Sequence, residues 1–226
     1  LRVELGIWRL PAALWLGLIA IFSTALPISS LVIWSVQGSS NLDLGVLLNA
    51  LWGSVQLAGL AGIGIGIFGT AIALWSIRYR SRLGQIVEWS SWAIHAVPAI
   101  VVGLALVFFG ANVTPWIYQT SWLLLIAYLI LFLPNALAGL ATPIAQVPVL
   151  LEEVSQSLGV PANKSMVRVV LPIALPGIVA AVSLVGLTVL KELPATLLLR
   201  PSSLNTLATR LWGATEDLAY SQAAPY

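Results

Sequence analysis

The chain of 226 residues contains no cysteine, one methionine and one histidine, and only 8% of its residues are charged. Without cysteine it can form neither a disulfide framework nor a thiolate metal site. Ordinary soluble domains carry about 25% charged residues, so this scarcity of charge excludes a soluble globular protein and a charged disordered one. The formal net charge of +2 is too small for a phosphate-binding surface, and no nucleic-acid partner is expected.

Apolar sequence is what the chain has in abundance, at 59% of its residues. A helix that crosses the hydrocarbon layer needs about 20 apolar residues, and five stretches reach that length. Their continuous apolar character favours helices over the alternating strands of a membrane barrel. The predicted fold class is therefore all-α, a polytopic bundle of transmembrane helices. The predicted spans are 11–36, 54–77, 89–110, 121–140 and 173–193.

Basic residues predict the orientation, because short loops rich in Lys and Arg stay on the cytoplasmic side. Such residues flank the start of the first span and lie in the loops after the second and fourth spans, whereas the loops around Asp43 and Asn112 have none. The amino end is therefore predicted inside, and segment 194–226 outside. The basic residues concerned are Arg2, Arg9, Arg78, Arg80, Arg82, Lys164 and Arg168.

Two features inside the spans concern helix packing. Pro27, Pro98 and Pro134 each remove a backbone donor within a predicted span, and each is expected to kink it. Small residues also recur every four positions in the second span, an arrangement that lets helices approach closely in lipid. Packing within the chain is the favoured interpretation of this small-residue stripe, and a dimer seam is the alternative. Its members are Ser54, Ala58, Gly62, Gly66 and Thr70.

A polar segment, PVLLEEVSQSLGVPANKSMVRVVLP, separates the fourth and fifth spans. Pro148 suits a first helical turn, and Glu152 and Glu153 suit the positive end of a helix dipole. Gly159 can adopt the left-handed conformation that ends a helix. Pro161 is expected to begin a second short helix. The segment therefore predicts two helices joined at a glycine corner.

We call residues 148–172 the coupling loop. Leu150, Val154 and Leu158 recur every four residues, and this apolar stripe is expected to pack against the ends of the spans, which leaves a polar side free. A rigid element of this shape beneath the membrane can transmit force.

The spacing of the coupling loop resembles the EAA loop of binding-protein-dependent ABC transporter permeases. In that family a Glu-Ala-Ala triplet is followed after three residues by Gly, and after nine more by Ile, one further residue and Leu-Pro. Glu153, Gly159, Leu171 and Pro172 match this pattern, and Val169 stands in place of Ile. The two alanines are replaced by valine and serine, which are also small or apolar.

The resemblance implies a MetI-like importer fold in a bacterial cytoplasmic (inner) membrane, with several membrane crossings. It also implies that the loop docks into a groove on a separate ABC ATPase dimer, and that Glu152, Glu153, Gly159, Leu171 and Pro172 serve this coupling. The sequence has no GxxxxGK[ST] motif. Bound ATP and Mg are therefore expected on the partner ATPase, and this chain is expected neither to be an enzyme nor to bind a cofactor.

Two charged residues at the outer end of the fifth predicted span are a second indication of function, after the coupling loop. A charge costs about 2.5 to 3.5 kcal/mol at the centre of a membrane helix, so Lys191 and Glu192 should face a cavity or a partner, or reach the headgroups. Adjacent positions lie about 100° apart on a helix, so the two are not expected to pair with each other. The string Lys191-Glu192-Leu193-Pro194 resembles the ferric-iron branch of these permeases.

We assign Lys191, Glu192, Pro194 and His95 to a translocation pathway as a hypothesis. A packed or backbone-bonded ring is the favoured interpretation of His95, and a transient ligand is the alternative. A permanent metal site is not expected, since an external binding protein would capture the ion and the permease need only offer a polar path.

Several alternatives stay open at this stage. Another small solute such as thiamine, sulfate or a phosphonate could be imported, because the coupling loop is shared across substrates. An ion-coupled secondary transporter would need more acidic or His relays near the midplane, and an intramembrane enzyme would need a convergent nucleophile and base.

The resemblance implies an extracytoplasmic substrate-binding protein, a second permease half and the lipid bilayer as partners. Since the chain starts at Leu1 and its sole methionine is Met166, we expect a piece of a longer chain, with a final span missing.

Overall fold

The computed structural model describes residues 6–38, 43–79 and 82–226, and it is 83% helical. No strand occurs within these ranges, so the prediction of an all-α fold is confirmed. Two of the basic residues used to predict the orientation, Arg2 and Arg80, lie outside the described residues. The α-helices are α1 (Arg9–Gly38), α2 (Leu44–Tyr79), α3 (Arg82–His95), α4 (Ala99–Asn112), α5 (Ser121–Ala145), α6 (Val149–Ser157), α7 (Ala162–Ser165), α8 (Leu171–Leu190), α9 (Pro194–Leu199), α10 (Leu207–Glu216) and α11 (Tyr220–Ala223).

Four of the five predicted spans are helices long and apolar enough to cross a membrane. These are α1, α2, α5 and the continuous helical stretch Ala162–Leu190, which includes α7 and α8. Pro27 and Pro134 lie inside α1 and α5 without ending them.

The third predicted span is broken rather than kinked. The helical segments Trp89–His95 and Ala99–Asn112 meet at an angle of 102°. Pro98 lacks a backbone donor and disfavours helical geometry at the residue before it, so a helix ends there and α4 starts afresh with Pro98 at its N-cap.

Residues Leu1–Leu48 and Arg210–Tyr226 form one compact unit. In its described part, α1 packs against α11, and the rings of Trp34 and Tyr220 lie 5.6 Å apart between centroids. The remainder of α1 presents large apolar side chains outward, as a lipid-facing helix does.

Residues Asn49–Thr209 form the second compact unit. Its core is built mainly from α2, α5 and α8 and includes Ile65, Leu124 and Ile144, which are fully buried. Close contacts show the helix directions. Positions 64 and 69 of α2 face Leu129 and Leu140 of α5, so these two helices run parallel.

Helix α8 runs in the opposite direction, because Gly139 of α5 meets Ala181 while Pro143 meets Gly177. The chain must therefore return between α2 and α5. Segment 82–120 makes this return, since it leaves the end of α2 and brings Gly110 against Leu123 at the start of α5. The pair α3 and α4 thus acts as one broken span.

The small-residue stripe packs within the chain, as the favoured interpretation predicted. A Cβ atom at Gly62 or Gly66 would lie 3.6 or 3.2 Å from the side chain of Val182 in α8. At the amino-terminal end of the stripe, Ser54 Oγ accepts a hydrogen bond of 2.8 Å from the Leu207 N–H. The side chain of Val182 in α8 thus packs on the small-residue face of α2.

Candidate functional site

The coupling loop has the predicted form of two helices joined at a glycine corner. Helix α6 ends at Ser157, and Gly159 follows with a φ of +86°, in the left-handed region that favours glycine. The Gly159 N–H donates to the Gln156 carbonyl and the Val160 N–H to the Ser155 carbonyl, which satisfies the last carbonyls of α6. Pro161 then caps α7.

The apolar stripe of α6 faces outward, and the prediction that it packs against the span ends is wrong. Leu150, Val154 and Leu158 are 65%, 47% and 79% exposed. Glu153 is exposed on the same short helix, whereas Ser155 is buried. The inner side of α6 is thus polar, and the side that a partner can reach is apolar with a flanking carboxylate.

This inversion arises because Glu152 has a partner inside the protein. Glu152 Oε1 lies 3.1 Å from Arg78 Nε, with side chains only 13% and 8% exposed. Arg78 Nη2 also donates to the carbonyls of Ile144 at 3.0 Å and Val147 at 2.8 Å. One guanidinium therefore joins the end of α2, the end of α5 and the start of α6. Glu152, predicted to serve coupling, is turned inward, and the exposed carboxylate of the pair is Glu153.

A π-helical segment, Met166–Val170, connects α7 to α8. The Leu171 N–H donates to the Met166 carbonyl, five residues back. Pro172 supplies no N–H, and its ring crowds the carbonyl four residues earlier, so a wider turn before it relieves the conflict. Leu171 and Pro172, both in the predicted motif, thus stand where the coupling loop passes into the fifth span without a break.

The charged pair at the other end of α8 divides between two environments. Helix α8 ends at Leu190, earlier than predicted, and Lys191 is exposed. Glu192 Oε1 accepts a hydrogen bond of 3.1 Å from the Ala195 N–H in the first turn of α9, where Pro194 occupies a first-turn position. No ion pair joins Lys191 and Glu192, both of which the structure describes.

Glu192 and His95 line one cavity of about 170 Å³, beside the break between α3 and α4. Asn135 of α5 is its third polar side chain, and sequence reasoning missed it. The remaining lining is apolar and includes Leu131 and Phe132, near the middle of α5. Lys191 and Pro194 do not line this cavity.

A buried hydroxyl pair holds α9 in place beside that cavity. Thr196 Oγ1 donates to the Glu192 carbonyl at 2.7 Å. Tyr128 OH lies 2.7 Å from Thr196 Oγ1. Because the Thr196 proton is already used, Tyr128 donates to Thr196. No sequence signal linked these residues, which are 68 positions apart.

Across the described residues, no three His, Cys, Asp or Glu side chains are placed to hold a metal ion. His95 shares the cavity with one carboxylate, Glu192, and one amide, Asn135.

Residues 62–224 match the family of binding-protein-dependent transport system inner membrane components, and the chain belongs to this family. The match confirms the family predicted from the coupling loop and its location in an inner membrane with several crossings. Relatives in this family are transport permease subunits rather than enzymes.

Similar proteins carry several substrate names. The chain is 35% identical over 211 residues to the Fe(3+)-transport system permease protein FbpB 2 of Haemophilus influenzae, covering 92% of this chain and 42% of that protein. It is 32% identical over 141 residues to the phosphate transport system permease protein PstA 1 of Mycobacterium tuberculosis, 62% of this chain and 46% of the relative. A putative 2-aminoethylphosphonate transport system permease protein, PhnV of Salmonella typhimurium, is 26% identical over 191 residues, 81% of this chain and 72% of the relative. The chain thus spans less than half the length of the first two.

Proposed function

We propose that this chain is part of the membrane-spanning permease of an ATP-driven importer, with ferric iron, delivered by an extracytoplasmic binding protein, as its substrate. The observation that carries the proposal is the coupling loop, whose outward apolar stripe and exposed Glu153 form a surface for a partner. Exposed apolar patches outside the membrane mark interaction sites. The partner is a cytoplasmic ABC ATPase dimer, which holds ATP and Mg and supplies the hydrolysis.

In this proposal ATP-driven movement of the ATPase displaces α6, and the helices attached to the loop rock between two packings of the bundle. The stretch Ala162–Leu190 is helical throughout, so a movement of the loop reaches α8 directly. The outer end of α8 leads to Glu192 and the cavity. A movement of α8 therefore changes the space beside His95 and Asn135.

The cavity at the broken span is the proposed translocation site. Polar groups at mid-depth of a bundle are costly and serve solute pathways, and interrupted helices line such sites in transporters. Glu192 attracts a cation, and His95 and Asn135 offer lone pairs. Lys191 and Pro194 do not line the cavity. In this proposal Lys191 lies at its exposed outer edge, and Pro194 begins α9.

Import of an anion is the second candidate, because relatives are named for phosphate and 2-aminoethylphosphonate transport. Helix α4 also begins at Ala99 beside the same cavity, and the first N–H groups of a helix attract anions.

Reconstitution of the complete permease with its ATPase tests the substrate. ATP hydrolysis is measured with binding protein loaded with ferric iron, phosphate, a phosphonate, sulfate or thiamine. Stimulation by the ferric form alone supports the proposal. Stimulation by phosphate or phosphonate supports the second candidate, and no stimulation by any loaded form contradicts import through this chain.

A further inference from the structure

We propose that Arg78 is a positioning residue that transmits movement of the coupling loop to α2. This inference rests on the proposed function, because it concerns how the loop moves the bundle once a partner displaces it. Nothing in the sequence pattern of the loop points to a residue that lies before the third span.

The contacts of Arg78 join three elements. Its guanidinium binds the carboxylate of Glu152 in α6 and the carbonyls of Ile144 and Val147 at the end of α5. Chain continuity already attaches the loop to α5 and, through the helical stretch Ala162–Leu190, to α8. Helix α2 has no such covalent attachment to the loop. Among the described residues, the ion pair of Arg78 with Glu152 is a direct contact from α2 to the coupling loop.

Burial makes separation of the Arg78 and Glu152 side chains unfavourable. Both side chains are nearly excluded from solvent, and their contact at 3.1 Å is an ion pair in which neither Arg78 Nε nor Glu152 Oε1 makes a hydrogen bond, to each other or to another described residue. Separation of the two would therefore leave two unpaired charged atoms away from water, which is strongly unfavourable. When α6 moves, it is less costly for α2 to follow than for the pair to separate.

Arginine suits this position better than lysine. The planar guanidinium spreads its charge over three nitrogens in fixed positions, so Nε lies 3.1 Å from Glu152 Oε1 while Nη2 donates to two carbonyls. A lysine ammonium keeps the charge but offers one centre for all three acceptors. The geometry therefore predicts that Arg78→Lys weakens the contact between α2 and the coupling loop without removing it.

The test uses the full permease reconstituted with ATPase and loaded binding protein. In Arg78→Met with Glu152→Met, both charges are removed together, which leaves no unpaired charge in the interior, and the carbonyls of Ile144 and Val147 lose the Arg78 donor. We expect assembly and basal ATP hydrolysis to stay within about twofold of the wild type, and solute imported per ATP to fall about tenfold. Arg78→Lys should give an intermediate ratio. Arg210→Gln, an exposed arginine distant in sequence from the loop, is the matched control.

A second measurement separates force transmission from folding. The chain has no cysteine, so Arg78→Cys with Glu152→Cys introduces the only two thiols in it. A reducible bis-methanethiosulfonate reagent that bridges them should restore import per ATP, and dithiothreitol should abolish it again. A folding defect would not respond in this reversible way.

Three results would overturn the inference: an unchanged ratio of import to hydrolysis in the double methionine variant, no recovery on cross-linking, or loss of assembly in every variant. Failure of the proposed function looks different, because the wild-type complex would then show no hydrolysis stimulated by loaded binding protein.

Discussion

The hydroxyl of Tyr128 donates a hydrogen bond of 2.7 Å to Thr196 Oγ1, and this buried contact joins the middle of α5 to α9. Thr196 in turn donates to the Glu192 carbonyl. Neither hydroxyl reaches solvent, since both residues are about 1% exposed. The position of Glu192 beside the cavity thus depends on two side chains that contact no solute.

Thr196→Val should destabilise the permease more than Tyr128→Phe. The first change leaves the buried Tyr128 hydroxyl and the Glu192 carbonyl unpaired, which lowers the free energy of unfolding by about 1 to 3 kcal/mol. The second change removes one hydrogen bond, which contributes about 1 kcal/mol. The combined variant should cost less than the sum of the two, because their effects are not independent. Unfolding of the detergent-solubilised permease measures this, with Thr196→Ser as the control that keeps the hydroxyl. Additive effects would show that the hydroxyls do not interact.

Gly159→Val should reduce transport, because the left-handed backbone at this position costs a residue with a side chain about 1 to 2 kcal/mol. Gly159→Asn should retain most transport, since Asn tolerates this conformation. A Cβ atom at Gly159 meets nothing within 4 Å, so neither variant creates a clash. Transport in vesicles is compared with the amount of ATPase that co-purifies. Equal transport by the two variants would show that the corner is not needed.

Leu158→Glu should weaken association with the ATPase about tenfold, which corresponds to about 1.4 kcal/mol, because the stripe of α6 faces outward. Gln156→Glu adds the same charge to an exposed position of the same helix without removing apolar surface, and it is the matched control. Association is measured by titrating the purified ATPase into labelled permease. If both variants bind like the wild type, the stripe does not face the ATPase.

Glu192→Gln should lower import of a cationic substrate about tenfold, equivalent to about 1.4 kcal/mol, while the amide oxygen still accepts the Ala195 N–H. Lys191→Ala should change import less, because Lys191 is exposed and does not line the cavity. Initial uptake rates at equal permease abundance test this. A larger loss from Lys191→Ala than from Glu192→Gln would assign the pathway to the outer rim instead.

The local features of this protein could be predicted because short-range physics decides them. Continuous apolar runs require helices in lipid, and Gly159 between two proline-led segments requires a corner. The break at Pro98 was predicted only as a kink. Whether a helix bends or ends at a proline depends on what packs against the freed backbone, which the residues around Pro98 do not specify.

The sequence by itself determined the helices, the coupling loop and its family, because helix formation, glycine conformation and motif spacing are properties of neighbouring residues. Only the tertiary structure decided which face of α6 turns inward, that Arg78 holds Glu152, and that Asn135 joins His95 and Glu192 at one cavity. Membrane helices are apolar on the sides that face lipid and on those that face the core, so polarity does not reveal their partners. Contacts between residues 74 positions apart, such as Arg78 and Glu152, are set by the packing of whole helices.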